Sequence, residues 1–145
     1  MDLLPIFLDI RDQPCLVVGG GAVAARKVAN LGRARARIYL VAPELTPELQ
    51  AQADAGDLIH RSRDLKDKDI KGMRLIIAAT SDRETNQRVA RLAKAIGIPV
   101  NVVDQPEECS FLLPSVIDRS PVVVAVSTTK ASPVLARLLR TRLES

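Results

Sequence analysis

Tryptophan is absent from this 145-residue sequence, which holds one tyrosine and two phenylalanines. A protein that grips nucleic acid by stacking bases needs aromatics beside its basic residues, so no nucleic-acid partner is expected. Histidine is as scarce. A His-based metal site or a Ser-His-Asp triad would rest on His60 alone, which reads as a surface residue. Cys15 and Cys109 are the only thiols and lack metal-type spacing. They exclude a disulfide framework and suit a reducing compartment. No apolar run approaches the roughly 20 residues of a membrane helix, and Met1-Asp2-Leu3-Leu4-Pro5 lacks a basic n-region. The expectation is a cytoplasmic protein with no membrane partner.

Aliphatic residues dominate what is there. Hydrophobic residues make up 47% of the chain and aromatics 2%, so the core is Val, Ile, Leu and Ala, as in a buried parallel sheet. The length fits one compact domain with a small annex. The net charge of +4 suits a polyanionic small molecule at least as well as a nucleic acid.

The chain is organised around Cys15-Leu16-Val17-Val18-Gly19-Gly20-Gly21-Ala22-Val23-Ala24. An apolar strand breaks on three glycines and resumes with helical spacing. Gly19-x-Gly21-x-x-Ala24 fits the G-x-G-x-x-G/A dinucleotide fingerprint. Gly19 allows the tight turn, Gly21 lets a pyrophosphate approach the backbone, and Ala24 lets the helix lie close on the sheet. The helix then turns its free N–H groups and positive dipole end, beginning at Ala22 and Val23, toward the phosphates. Glu44 lies 23 residues past Gly21, just after Pro43 and the apolar run 37–42. That is near the roughly 20-residue offset at which a carboxylate meets the adenosine ribose. The cofactor expected is NAD. Glu44 would repel a 2′-phosphate, and Leu45 stands where NADP readers often carry arginine.

Strand and helix alternate along the chain. Leu4–Ile10 alternates like a short edge strand. Strands follow at 15–18, 36–41, 58–61, 73–79 and 100–103. Helices are expected at about 22–32, ending near Gly32, from the Thr46 cap to Ala55-Gly56, and from Arg83 to Ile96. Val89, Leu92, Ala93 and Ile96 fall at core spacing in the last. Residues 65–70 read as a brief helix or turn. The pattern is that of a doubly wound parallel sheet, an α/β Rossmann-type fold, whose ligands bind beyond the carboxyl ends of the strands. Gly19, Glu44, Thr80 and Asp104 stand on that edge. After Asp104 the pattern changes: strands at 110–117 and 121–127 joined by a short turn make an antiparallel hairpin, and a helix starts at Ser132-Pro133. Residues 1–109 are thus read as the cofactor domain and 110–145 as a small annex. Hairpin and helix are too little to bury their own apolar face, so the annex packs on another copy or on further chain, and a homodimer through it is expected. Leu139–Ser145 ends in mid-pattern without a capping glycine, as in a chain cut from a longer one.

Leu4-Pro5-Ile6-Phe7, Val18-Gly19-Gly20-Gly21, Val41-Ala42-Pro43-Glu44, Ala78-Ala79-Thr80, Asn101-Val102-Val103-Asp104, Ser110-Phe111, Pro114-Ser115 and Ser132-Pro133 occur in this order. The set resembles the N-terminal region of the siroheme synthases, the precorrin-2 dehydrogenase and sirohydrochlorin ferrochelatase family, over essentially the whole chain. The resemblance implies NAD-dependent oxidation of precorrin-2 to sirohydrochlorin, then insertion of ferrous iron. It also implies a homodimer that binds the tetrapyrrole in a cleft against its partner. Within it, the catalytic carboxylate corresponds to Asp104, and nucleotide contacts correspond to Ala22, Val23, Pro43 and Glu44. A serine phosphorylated in some relatives corresponds to Thr128, in a Thr128-Thr129-Lys130 loop where those relatives have serine and glycine. The family continues with a further helical segment and, in fused enzymes, a methyltransferase domain.

Asp104 would act as a general base: dehydrogenation releases a proton beside the hydride, and chelation removes two pyrrole N–H protons. Asp82 and Glu108 are weaker candidates. The alternative is a Rossmann module that binds NAD and catalyses nothing. A short-chain dehydrogenase is discarded, since its Tyr-x-x-x-Lys pair cannot be met by Tyr39, four residues before Pro43.

Overall fold

Apolar β-branched residues lead into a glycine turn, and the chain does what that pattern dictates. Pro14–Val18 forms strand β1 and Ala22–Arg33 helix α1. Arg37–Val41 (β2), Pro47–Asp54 (α2) and Ile59–Arg61 (β3) follow, with a 3₁₀ turn at Asp67–Ile70. Leu75–Ala78 (β4), Arg83–Ala95 (α3) and Val100–Val102 (β5) complete the α/β part. In this computed structural model residues 1–129 and 131–145 are described. Lys130 of the expected Thr128 loop lies outside them. The chain divides into two units, Leu8–Phe111 and Met1–Phe7 with Leu112–Ser145.

All five strands of the first unit are parallel, in the order β3-β2-β1-β4-β5. The chain winds outward from β1 in one direction and then returns to wind outward in the other. That is the Rossmann-type doubly wound sheet, and the reversal leaves a crevice beyond the carboxyl ends of β1 and β4. Burial on both faces explains the unbroken apolar runs: every residue of β4 is buried, as is every residue of β1 after Pro14. Ala24 and Ala25 keep α1 close to the sheet. Val89, Ala90 and Ala93 do the same for α3.

Helix starts are built as the sequence indicates. Thr46 Oγ1 accepts from Leu49 N (3.4 Å), with Pro47 at the first helical position. Asp82 accepts from the backbone N–H groups of Glu84 and Thr85.

Several expectations are corrected. Leu4–Ile10 is not a strand: among the described residues no strand pairs with it, and Leu4, Ile6 and Phe7 are exposed. Ile96 follows α3 and is exposed rather than in the core. His60 is half-buried, its Nε2 2.9 Å from the Ala42 carbonyl, so it ties β3 to the end of β2. Ser110 and Phe111 are not strand residues. They lie along β5, where Ser110 N donates to Val100 O (2.8 Å) and Asn101 Nδ2 to Phe111 O (3.0 Å). Together they occupy hydrogen-bonding groups of an edge strand that would otherwise stand open.

The second unit has an antiparallel hairpin, Ser115–Arg119 (β6) with Val122–Val126 (β7), and a helix, Pro133–Glu144 (α4). Ser132 caps α4 by accepting from Leu135 N (3.1 Å). Helix α4 packs on β6 and β7. Ile117 and Ala136 are buried, while Val122, Val124, Val134, Leu135, Leu138 and Leu143 remain exposed.

Candidate functional site

The three glycines after β1 do three different jobs. Gly19 has φ 126°, and a Cβ there would sit 2.4 Å from the Ala79 carbonyl oxygen. It therefore provides both the turn and the close approach to the loop after β4. Gly20 faces the loop after β2: its Cβ would meet the Glu44 carbonyl oxygen at 2.0 Å, and its own carbonyl accepts from Thr46 N (2.9 Å). At Gly21 an added Cβ would meet nothing within 4 Å. Open space at this one glycine is what an approaching pyrophosphate requires. The fingerprint spacing points to Gly19 and Gly21 and passes over Gly20, whose role depends on where residue 44 comes to lie.

Gly21 is the N-cap of α1 and no side chain among the described residues caps it. The first intrahelical bond runs from Ala25 N to Gly21 O. Ala22 and Val23, at the start of the helix, line the crevice at its positive dipole end, and helix starts of this kind favour anions.

A cavity of about 1020 Å³ opens at this edge, at the upper end of the range for small-molecule sites. Eight of the residues singled out from the sequence line it: Gly19, Gly21, Ala22 and Val23 after β1, Pro43 and Glu44 after β2, Thr80 after β4, and Asp104 after β5. The strand order sets their places. The phosphate turn is central, residues after β2 and β3 lie on one side, and residues after β4 and β5 lie on the other.

Thr80 is held by a residue that spacing alone does not single out. Asn86, buried on α3, accepts from Thr80 Oγ1 (2.7 Å) and Thr80 N (3.2 Å) and donates to Thr80 O (3.0 Å). A short polar side chain at a buried helix position is the signal that could have marked it. Asp82 has its carboxylate committed to capping, and the Thr85 hydroxyl holds it below the usual carboxylate range. Glu108 pairs with Lys94 at 3.6 Å. Asp104 is exposed at the end of β5, with φ 61°. Aspartate is one of few non-glycine residues that enter the left-handed region readily, and such a backbone held at a cleft is typical of functional positions. Lys27, half-buried on α1, interacts electrostatically with Asp104; burial lowers its pKa and Asp104 raises it.

On the opposite side, Arg63 and Asp64 join the lining from the segment after β3. Asp69, with a fully buried side chain, anchors that segment. It accepts from Arg61 Nη1 (2.7 Å), Arg63 Nη1 (2.7 Å), Arg63 Nη2 (2.8 Å) and Lys66 N (2.8 Å). These bonds, led by Arg63, hold its carboxyl far below the usual range against the opposing effect of burial. Arg61 also lies over the Tyr39 ring, 5.1 Å from its centroid.

Comparison with known proteins agrees with this geometry. A family of NAD(P)-binding domains matches residues 6–115. The chain belongs to that family. It is also 54% identical over its whole length to the siroheme synthases of Nitrosospira multiformis and Nitrosococcus oceani. It spans 32% and 31% of those two proteins, resembling their N-terminal region. Among solved structures it resembles the precorrin-2 dehydrogenase SirC, with a TM-score of 0.84 and 26% identity over 98% of this chain and 70% of that one. No helix among the described residues is long and apolar enough to cross a membrane.

Proposed function

We propose that this chain is the NAD-dependent dehydrogenase part of a siroheme-forming enzyme, oxidising precorrin-2 to sirohydrochlorin. The observation that carries the reading is the shared cavity: an uncapped helix start, an open glycine, Glu44 and Asp104 meet at one sheet edge. The likeness to siroheme synthases and to a precorrin-2 dehydrogenase supplies the substrate class.

The residues present fit a dinucleotide. The N–H groups of Ala22 and Val23 would hold the pyrophosphate beside Gly21, and Pro43 and Glu44 would hold the adenosine ribose. Thr80, fixed by Asn86, borders the nicotinamide half. When bound there, NAD would supply the acceptor for the hydride that leaves the substrate. Asp104 accepts the proton released with it, as an exposed carboxylate at the cavity edge is placed to do. Glu44 favours NAD over NADP, because its carboxylate pairs with a ribose diol and repels a 2′-phosphate.

The same carboxylate serves ferrous iron insertion, by taking pyrrole protons; this part of the proposal, with iron as substrate, rests on the family resemblance. Residues 1–109 form the cofactor domain, and residues 110–145 join two copies into a homodimer through the exposed apolar residues of β7 and α4.

The test is NADH formation from precorrin-2 by the complete protein. Asp104→Asn, which keeps the left-handed backbone accessible, is expected to abolish turnover while leaving NAD affinity intact. Full turnover in Asp104→Asn would remove this residue from the mechanism, and turnover absent from the complete protein itself would favour a cofactor-sensing module.

A further inference from the structure

Arg63, from the segment after β3, is an arginine of the cavity wall. It lines the cavity together with Glu44, on the side that the strand order gives to the adenosine half of a dinucleotide. Two chemistries are open to an arginine there. As a free cation it would clamp a 2′-phosphate, and as a flat surface it would pack on the adenine ring.

The hydrogen bonds decide between them. Nη1 and Nη2 of Arg63 meet both oxygens of Asp69 at 2.7 and 2.8 Å in a bidentate fork, and Nη1 also donates to the Asp64 carbonyl (3.0 Å). Both terminal nitrogens are thus engaged with the protein. Asp69 is itself pinned by Lys66 N and Arg61, and its side chain is fully buried, so the fork is a fixed fixture of the wall. The Arg63 side chain nevertheless stays 29% exposed, and a guanidinium held at its edge by such a fork can still offer its flat face to a ring. Asp69 divides its single negative charge between Arg63 and Arg61.

We infer that Arg63, locked by Asp69, is the platform on which the protein packs the adenine ring of its dinucleotide. The inference rests on the dinucleotide reading above and adds the residue that recognises the base. It also gives a second reason for NAD preference: Arg63, forked onto Asp69, serves as a stacking surface rather than a phosphate clamp. The Arg63–Asp69 pair is a specificity element rather than a part of the chemistry.

The experiment is calorimetric titration of the full chain with AMP, NMN, NAD and NADP. Arg63→Leu is expected to weaken AMP and NAD by about two- to thirtyfold, the range of a single cation–π contact, and to leave NMN unchanged. Arg63→Lys, which keeps the charge and loses the plane, is expected to weaken AMP and NAD nearly as much. Rescue by lysine would show a point-charge contact with phosphate and overturn the inference, as would a selective loss of NADP in Arg63→Leu. Equal losses for AMP and NMN would show a merely structural role and overturn it as well. Should the variants fold poorly, the unmodified protein still decides: the Arg63 Nε–H resonance shifts on adding AMP and stays in place with NMN. An unmoved resonance in the AMP-saturated protein refutes the platform. No binding of NAD or AMP to the unmodified chain would instead bring down the dinucleotide reading, and this inference with it.

Discussion

The two units handle their apolar residues in opposite ways. In Leu8–Phe111 the aliphatic side chains of β1 and β4 are covered on both faces, and Leu16, Ile76 and Ile77 have no exposed surface. In the second unit Ile117 and Ala136 are buried, yet Val124, Leu138 and Leu143 stand 37%, 62% and 62% exposed. A five-stranded parallel sheet with its helices closes its own core, whereas a two-stranded hairpin with one helix cannot. The first unit therefore closes its own core, and the second leaves apolar side chains exposed that the proposed homodimer would cover.

The sharpest way to break this comparison is one substitution in each unit. Ile76→Ala, in the middle of β4, is expected to destabilise the first unit by about 2–5 kcal/mol, the usual range for a fully buried large-to-small change. Leu138→Asp on α4 is expected to leave that unit within about 0.5 kcal/mol of its original stability, while light scattering shifts from dimer to monomer. A monomer at micromolar concentration before any substitution would end the dimer proposal.

A smaller effect separates the glycines within the site. Gly20→Ala places a Cβ against the Glu44 carbonyl and is expected to cost about 1–3 kcal/mol by forcing two backbone loops apart. Gly21→Ala meets open space and is expected to keep the melting temperature nearly unchanged while reducing NAD affinity at least tenfold. Equal stability losses would refute the division of labour.

The smallest predicted effect is a pH dependence confined to the first unit. Asp69 titrates lower in the folded chain than in the unfolded one, chiefly through its bond to Arg63. Its contribution to stability is therefore complete above the unfolded carboxylate value of about 3.9 and is lost as pH falls below it toward the lower folded value. Urea midpoints are expected to drop below about pH 4, and Asp69→Asn is expected to flatten that drop.

Local signals made the sheet and most of the cavity legible in advance. A strand that breaks on Gly19-Gly20-Gly21, a Thr46-Pro47 start and a Ser132-Pro133 start each encode their geometry in adjacent residues. Asp104 was placed at the sheet edge by counting strands. What spacing did not reveal depends on pairs distant in the chain. Gly20 matters because of Glu44, Thr80 because of Asn86, and Arg63 because of Asp69. No periodicity reports such contacts, since each forms only when separate loops meet. Leu4–Ile10 failed as a strand for the same reason, because alternation describes a face and does not supply a partner.

The central claim is that residues 8–111 hold a complete dinucleotide site that prefers NAD. Calorimetric titration of the chain with NAD and with NADP tests it most directly. The account predicts one NAD site per chain, NADP weaker by about tenfold or more, and NAD weakened in Glu44→Ala. Equal affinity for the two cofactors, or an NAD affinity untouched by Glu44→Ala, would contradict it.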